Sequence, residues 1–381
     1  MMKQLWRRMM LPAALMLTGC PVSWALDKSY SQDPGALENE LAAYNLVVGT
    51  QAIGPRYRFT QDHPEVEAAK EIYKMGSNAV KIRLNRGAEF DEIVGLPFQY
   101  IFLWYSNNAN WTDGVSAAER QVIYQETYDY TRNLLTKYNH SGKRFYLGHW
   151  EGDWSLLPDY DGKKNPSSVA IQGMIDWYNL RQKAIDAAKA DTPHEEVDVY
   201  HYAEVNRVRD AMDLGMKRVV NSVLPFVAPD YVSYSAYDIQ KLPLHEVHRT
   251  LDYVASFLAP KAGIEGKRVF IGEFGLQARY TNNYDPIEHE KVNREYIVKF
   301  MKWGTPFILY WEMYNNEVKE GRHEGFWLID DKGKKWPLYF TFQNLYRESR
   351  IYLGSFYEQH GRWPTTSEYL EFSIKHLTQA P

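Results

Sequence analysis

Three glutamates stand where short apolar runs of this chain break off. Glu273 lies in "VFIGEFG" (269–275), between two glycines, Glu151 in "RFYLGHWEGDW" (144–154) and Glu204 in "VDVYHYAEVN" (197–206). A carboxylate at the end of a buried strand is either a solvated surface group or a reactive one at the mouth of an enclosed core. Paired carboxylates carry a particular chemistry. One must hold a proton to release a leaving oxygen, and the other must be ionised to attack carbon or to activate water. Cleavage of glycosidic bonds is the commonest reaction with that requirement. The other run ends carry residues that could serve such a site: Arg83 in "KIRLN", His149, Trp150 and Asp153, Asn206, Tyr234, Tyr237 and Asp238, then Trp311, Glu312, Asn315 and Asn316.

Other chemistries lack their residues. There is no HExxH pattern, and His149 and His201 fall on different runs, so no metal is expected. No GxSxG occurs. Neither a Walker loop nor a flavin fingerprint is present, so no cofactor is expected. The net charge is only −4 and no Lys/Arg stripe occurs, which argues against nucleic acid.

Eight strand-like runs must position these residues, at 45–53, 79–85, 100–106, 144–154, 197–206, 230–238, 268–275 and 306–317. Stretches of helical spacing separate them, at 65–76, 117–138, 173–190, 245–258 and 289–304, and another helix begins near Pro337. Strands alternating with helices imply parallel β/α units, and eight of them fit a (β/α)8 barrel. The competing fold, an open doubly wound sheet, usually opens on a glycine-rich phosphate turn, and no GxGxxG follows the first run. Residues 45–349 are therefore expected to form the barrel and 350–381 a helical extension packed on it. In such barrels the site lies where strands end and βα-loops begin.

On that scheme the chain resembles the (β/α)8 retaining glycoside hydrolases that carry the acid/base on strand four and the nucleophile on strand seven. The resemblance works by strand-end position across the whole barrel. It implies Glu273, in "IGEFG", as nucleophile and Glu151 as acid/base, with Glu204 as the rival for the second role. Arg83 would lie near the nucleophile. Either Tyr234 or Tyr237 would hydrogen-bond it, and Trp311 would floor the sugar subsite. One position departs from the pattern. Where these enzymes place Asn directly before the acid/base, this chain has Trp150, so His149 or Asn206 is expected to bind the sugar 2-hydroxyl. Retention of configuration rests on the resemblance. It would require carboxyl groups about 5–5.5 Å apart, against about 6.5–9.5 Å for inversion.

The residues also imply an electrostatic division of labour. Arg83 and a tyrosine hydroxyl should keep Glu273 ionised, while Trp150 and Trp154 together with the charge of Glu273 should raise the Glu151 pKa. By alternation, Val269 and Ile271 should point into the barrel below Glu273. Gly272 should leave room for helix packing outside. The chain is rich in aromatics, with 29 Tyr, 12 Trp and 16 Phe. Many follow strand ends: Trp104, Tyr105 and Trp111, Trp154 and Tyr160, Tyr280 and Tyr284, Tyr314 and Trp327. As a set they fit a carbohydrate cleft, with the segment 315–328 as a loop over it. A non-catalytic glycan-binding or polysaccharide-assembly protein on the same fold is the alternative, as is a transglycosylase or a lyase.

The N-terminus carries a separate message. Lys3, Arg7 and Arg8 precede an apolar run from Met9 to Leu17, a signal-peptide layout too short to span a bilayer. It ends in "LTGC", which resembles a bacterial lipobox, and Cys20 is the sole cysteine of the chain. The resemblance implies lipidation of Cys20. Residues 1–20 would then be a signal, 21–44 a tether, and the protein would be anchored in the cell envelope. Pro21, instead of Asp, favours the outer membrane or periplasm over the inner membrane.

Overall fold

In the computed structural model, residues 34–83, 87–105, 110–282 and 284–379 are described. Cys20 and the rest of the expected signal lie outside them. Eight parallel strands close into a barrel in sequence order: β1 (Val48–Ala52), β2 (Ala79–Arg83), β3 (Tyr100–Trp104), β4 (Arg144–Gly148), β5 (Asp198–Val205), β6 (Tyr231–Ser235), β7 (Val269–Phe274) and β8 (Ile308–Tyr310), with β8 returning to β1. Each coincides with one of the eight expected runs. The barrel belongs to a compact unit that begins at Asn39.

The strands are buried on both faces, so they read as nearly continuous apolar runs. The outward face packs on the surrounding helices through residues such as Val80, Ile101, Leu147, Val199 and Val232. The inward face of the lower barrel is a separate aromatic layer, with Phe102, Tyr146, Tyr202, Phe270 and Phe307 in contact. Gly148 faces the same interior. A Cβ there would lie 1.9 Å from the Tyr202 ring, so only glycine lets that ring cross the barrel.

Helix bounds follow local signals. Ser116 and Glu119 form a reciprocal capping box that starts the helix Ala117–Lys137. The helix Pro64–Met75 ends at Gly76, which takes the left-handed conformation that glycine adopts without strain. Two helices, Pro337–His360 and Thr366–Gln379, follow β8. The first runs unbroken through 349–350, where the sequence placed the start of an extension. Both are tied to the base of the barrel: Tyr346 donates to the Val48 carbonyl (3.0 Å) and Tyr369 to the Leu46 carbonyl (3.1 Å).

Strand β7 breaks simple alternation. It pairs Ile271 with Tyr234 of β6 and then Glu273 with Ser235, so one extra residue is accommodated. Against β8, three steps on β7, from Ile271 to Phe274, match two, from Ile308 to Tyr310. This bulge corrects the expected orientations. Phe270 belongs to the inner layer, whereas Val269 and Ile271 face the helices. Gly272 is pressed against the neighbouring strand: a Cβ there would lie 1.8 Å from Ser233 Oγ, so the glycine makes the bulge possible. The extra residue also brings Glu273 to the interior.

Candidate active site

The bulge sets the floor of the site. The Gly272 carbonyl is turned inward, where it accepts from Lys81 Nζ (3.0 Å) and Gln51 Nε2 (3.0 Å). Lys81 is thereby held with its ammonium 3.1 Å from Glu273 Oε1 and 3.8 Å from Glu204 Oε2. All three side chains are buried. Glu204 also accepts from Ser233 Oγ (3.1 Å), Ser235 Oγ (2.9 Å) and the Glu151 backbone N–H (2.9 Å). Both of its oxygens are thus occupied by donors from β6 and from the loop above.

Glu151 follows β4 at φ 42°, a left-handed conformation that costs a non-glycine residue of order 1 kcal/mol. Its backbone is gripped from two sides. Glu204 holds its N–H from below. Just beyond it, Asp153 accepts from the backbone of Asn206 (2.8 Å), Arg207 (3.1 Å) and Val219 (2.7 Å), which pins the β4 loop to the β5 loop. The Glu151 side chain is half-buried. Burial, and then the charges of Glu273 and Glu204, push its carboxyl up to about 8. Glu273 is also raised by burial, but the Lys81 ammonium opposes this. One carboxyl therefore favours its proton, while the other has a cation in direct contact with its anion.

Other expected residues separate into those facing this floor and those facing away. Arg83 is exposed at the rim, 5.9 Å from the Trp104 ring centre, and the cation touching Glu273 is Lys81, two residues earlier and on the same face of β2. Tyr234 is corrected by alternation. Ser233 and Ser235 face inward, so Tyr234 faces the helices, and its hydroxyl donates to Asp238 (2.7 Å). Tyr237, beyond the end of β6, lies at the mouth. Its hydroxyl is pushed up by burial and then by the charges of Glu273, Glu317, Glu151 and Glu312, which surround it.

His149 borders the cavity, yet both ring nitrogens are engaged, by the Trp150 carbonyl and by the Tyr178 hydroxyl. Burial holds its pKa down at about 3, so the ring is neutral. Asn206 gives its amide oxygen to the Asp153 N–H (3.1 Å), while its amide nitrogen is buried without a partner. Trp154 packs under the Arg207 guanidinium at 4.6 Å, away from the cavity wall. Trp311 stacks on Trp104 with ring centres 5.8 Å apart. Beyond it the segment 315–328 contains a two-stranded hairpin, β9 (Val318–Lys319) and β10 (Arg322–His323).

At the strand ends opens a cavity of about 820 Å³, lined by Trp104, Trp111, Trp150, Trp177 and Trp311, together with Arg83, His149 and Glu317. Its size and aromatic lining suit a ligand with flat apolar faces and a polar rim. Of the residues that line it, Trp104 Nε1 and Asn316 Oδ1 are buried without partners. Buried polar atoms are almost always paired, so these two are groups left for water or a ligand to satisfy. No cluster of potential metal ligands occurs among the described residues.

Lys81 and the serines beneath Glu204 were missed in the sequence. A lysine inside an apolar strand was the available signal, since such residues are almost never fully buried unless paired.

No family model matches this chain, and no curated protein matches it in sequence. Solved structures do resemble it in fold. A family 39 glycoside hydrolase from the gut symbiont Bacteroides cellulosilyticus WH2 aligns with a TM-score of 0.54 at 11% identity, covering 80% of this chain and 64% of that one. An exo-β-1,4-mannosidase from Opitutaceae bacterium strain TAV5 aligns at 0.52 and 11%, covering 80% and 59%. A broad-specificity endoglucanase from Bacteroides salanitronis aligns at 0.51 and 9%, covering 80% and 92%. The chain thus spans less than two thirds of the length of the first two. At these identities the likeness establishes a shared (β/α)8 barrel.

Proposed function

We propose that this chain hydrolyses β-linked glycans by double displacement, with Glu273 as nucleophile and Glu151 as acid/base. The observation that carries the reading is the Lys81 ammonium in contact with only one of two carboxyls that burial raises. Glu273 touches the Lys81 ammonium at 3.1 Å, while Glu151 is pushed up to about 8 and so keeps its proton at neutral pH. In the first step Glu151 protonates the leaving oxygen as Glu273 attacks the anomeric carbon. In the second, Glu151 takes a proton from water as that water displaces the carboxylate. Glu204 is a positioning residue, since its oxygens are spent on Ser233, Ser235 and the Glu151 N–H. The glycoside hydrolases that share the fold support the reaction class.

Hydrolysis by the purified chain should be measured on a panel of β-linked glycans, with Glu273→Gln as the control. Activity of the wild type that the variant lacks supports the reading; equal activity in both rejects Glu273. An unsaturated product absorbing in the ultraviolet would indicate a lyase instead.

One observation favours a second reading, a glycan-binding protein without turnover. Glu273 is only 2% exposed and is not among the residues that line the cavity. That reading expects glycan binding by wild type and Glu273→Gln alike, and no product from either.

Lipid anchoring through Cys20 belongs to the same proposal and places the barrel in the cell envelope. Membrane fractionation tests it, since Cys20→Ser should release the protein from the membrane pellet.

A further inference from the structure

The cavity reaches beyond the strand ends to the loop that follows β4. Ser155 and Tyr160 of that loop line it, as does Thr112 from the segment after β3. Tyr160 is 66% exposed, among the most exposed large apolar side chains described, and the Trp150 ring beside the same cavity is 45% exposed. An exposed tyrosine alone means little. This one is held there against two local costs.

The first cost is conformational. Asp159 and Tyr160 take φ values of 56° and 54°, two consecutive left-handed residues that are not glycine. Such backbone persists only where surrounding structure over-determines it, and it concentrates at ligand clamps. The second is electrostatic. The loop is fastened from beneath by Arg218, whose side chain is fully buried and whose guanidinium donates to the carbonyls of Gly162 (2.6 Å) and Lys164 (3.1 Å). Asp210 supplies its counter-charge at 2.8 Å. At the surface a Lys164–Asp159 ion pair (2.8 Å) closes the loop on itself. A buried arginine thus serves to fix a strained turn whose Tyr160 lines the cavity.

We infer that Tyr160 is the platform of a distal subsite, which stacks on a sugar ring several residues along a chain whose scissile bond lies at Glu273 and Glu151. This rests on the glycan reading above and makes its substrate class specific: an extended oligo- or polysaccharide. A ring face suits the apolar face of a pyranose, and the preorganised loop spares the ligand the cost of ordering it.

The test is a printed array of β-linked oligosaccharides, graded from disaccharide to octasaccharide. It is read with the labelled full chain carrying Glu273→Gln, followed by calorimetry on the hits. Affinity is expected to rise with chain length. Tyr160→Ala should remove that rise, weakening the long ligands about three- to tenfold and leaving the short ones unchanged. Tyr160→Phe should retain it. Tyr160→Gly gives a readout that a structural role would not share: the left-handed turn relaxes, so Tm should not fall, while long-chain affinity does. Tyr160→Ala with the wild-type length dependence overturns the subsite and leaves the carboxylate reading standing. Binding to no glycan on the array overturns both.

Discussion

The barrel interior consists of two layers built from the same strands, and they obey opposite rules. The lower layer holds Phe102, Tyr146, Phe270 and Phe307, packed ring against ring, with the Phe102–Tyr146 centres 4.5 Å apart. The upper layer holds Lys81, Glu204, Glu273 and Glu312, all buried and, for Glu273 and Glu312, raised by that burial. On β2 the change takes one step, from Ala79 to Lys81, and on β5 from Tyr202 to Glu204. Burying like charges together destabilises a fold unless cations and donors are placed among them. The lower layer therefore supplies stability and the upper layer spends some of it. A chain that departs from apolar packing in one layer only marks that layer as its functional one.

The largest expected effect falls in the upper layer. Glu273→Gln should lower hydrolysis roughly 10⁴-fold or more, in the manner of a removed nucleophile, with thermal stability unchanged or higher. Next comes Glu151→Gln, with a loss of roughly 10²–10⁴ on substrates that need a protonated leaving oxygen. It also has a pH signature. In the wild type, kcat/KM should fall above about pH 8 as Glu151 ionises, and this limb should vanish in the variant. The acid limb belongs to Glu273, which must be ionised to attack.

The same raised carboxyls fix a stability trend. A carboxyl raised above its unfolded value contributes stability that is complete below the ordinary carboxylate range. That contribution is lost as pH rises through the folded value, about 8 for Glu151. Urea unfolding of the wild type from pH 4 to 9 should show that decline.

Lys81→Met tests whether the two layers are coupled by charge. Leaving Glu273 and Glu204 without their cation should destabilise the fold by about 3–5 kcal/mol and move the acid limb of activity to higher pH. Phe270→Ala, one layer down, should cost a similar 3–5 kcal/mol through its cavity. Here the pH profile per folded molecule should stay that of the wild type, and a moved limb would mean that the layers are not separable. The smallest effect belongs to Tyr234→Phe. Its hydroxyl bonds Asp238 on the helix side, so about 1 kcal/mol of stability should be lost with kcat untouched. A substantial drop in kcat would return Tyr234 to the site.

The contrast between layers also explains what could be read in advance. The eight strands and the major helices were legible because strands buried on both faces read as short apolar runs and helices repeat their apolar residues over many positions. The position of Glu273 was legible for the same reason. The facing of the residues below it was not: the bulge at Gly272 rests on a single residue, and alternation counted through it assigns Val269 and Ile271 to the wrong face. Tyr234 misled for the complementary reason, since motif position placed it at the site while parity on β6 turned it away. Lys81 was overlooked because Arg83, two residues on, matched the resemblance better. The clamp on Glu204 by Ser233 and Ser235 is a contact between strands, and no run of sequence contains it.

The central claim is that Glu273 forms a covalent bond to sugar. A 2-deoxy-2-fluoro glycoside with an activated leaving group, matched to whichever glycan is hydrolysed, should trap that intermediate for peptide mass mapping. The expected result is one added sugar per chain, on the peptide containing Glu273, and no adduct in Glu273→Gln. An adduct on Glu204 or Glu151, or none on a chain that releases the leaving group at the wild-type rate, would contradict the assignment.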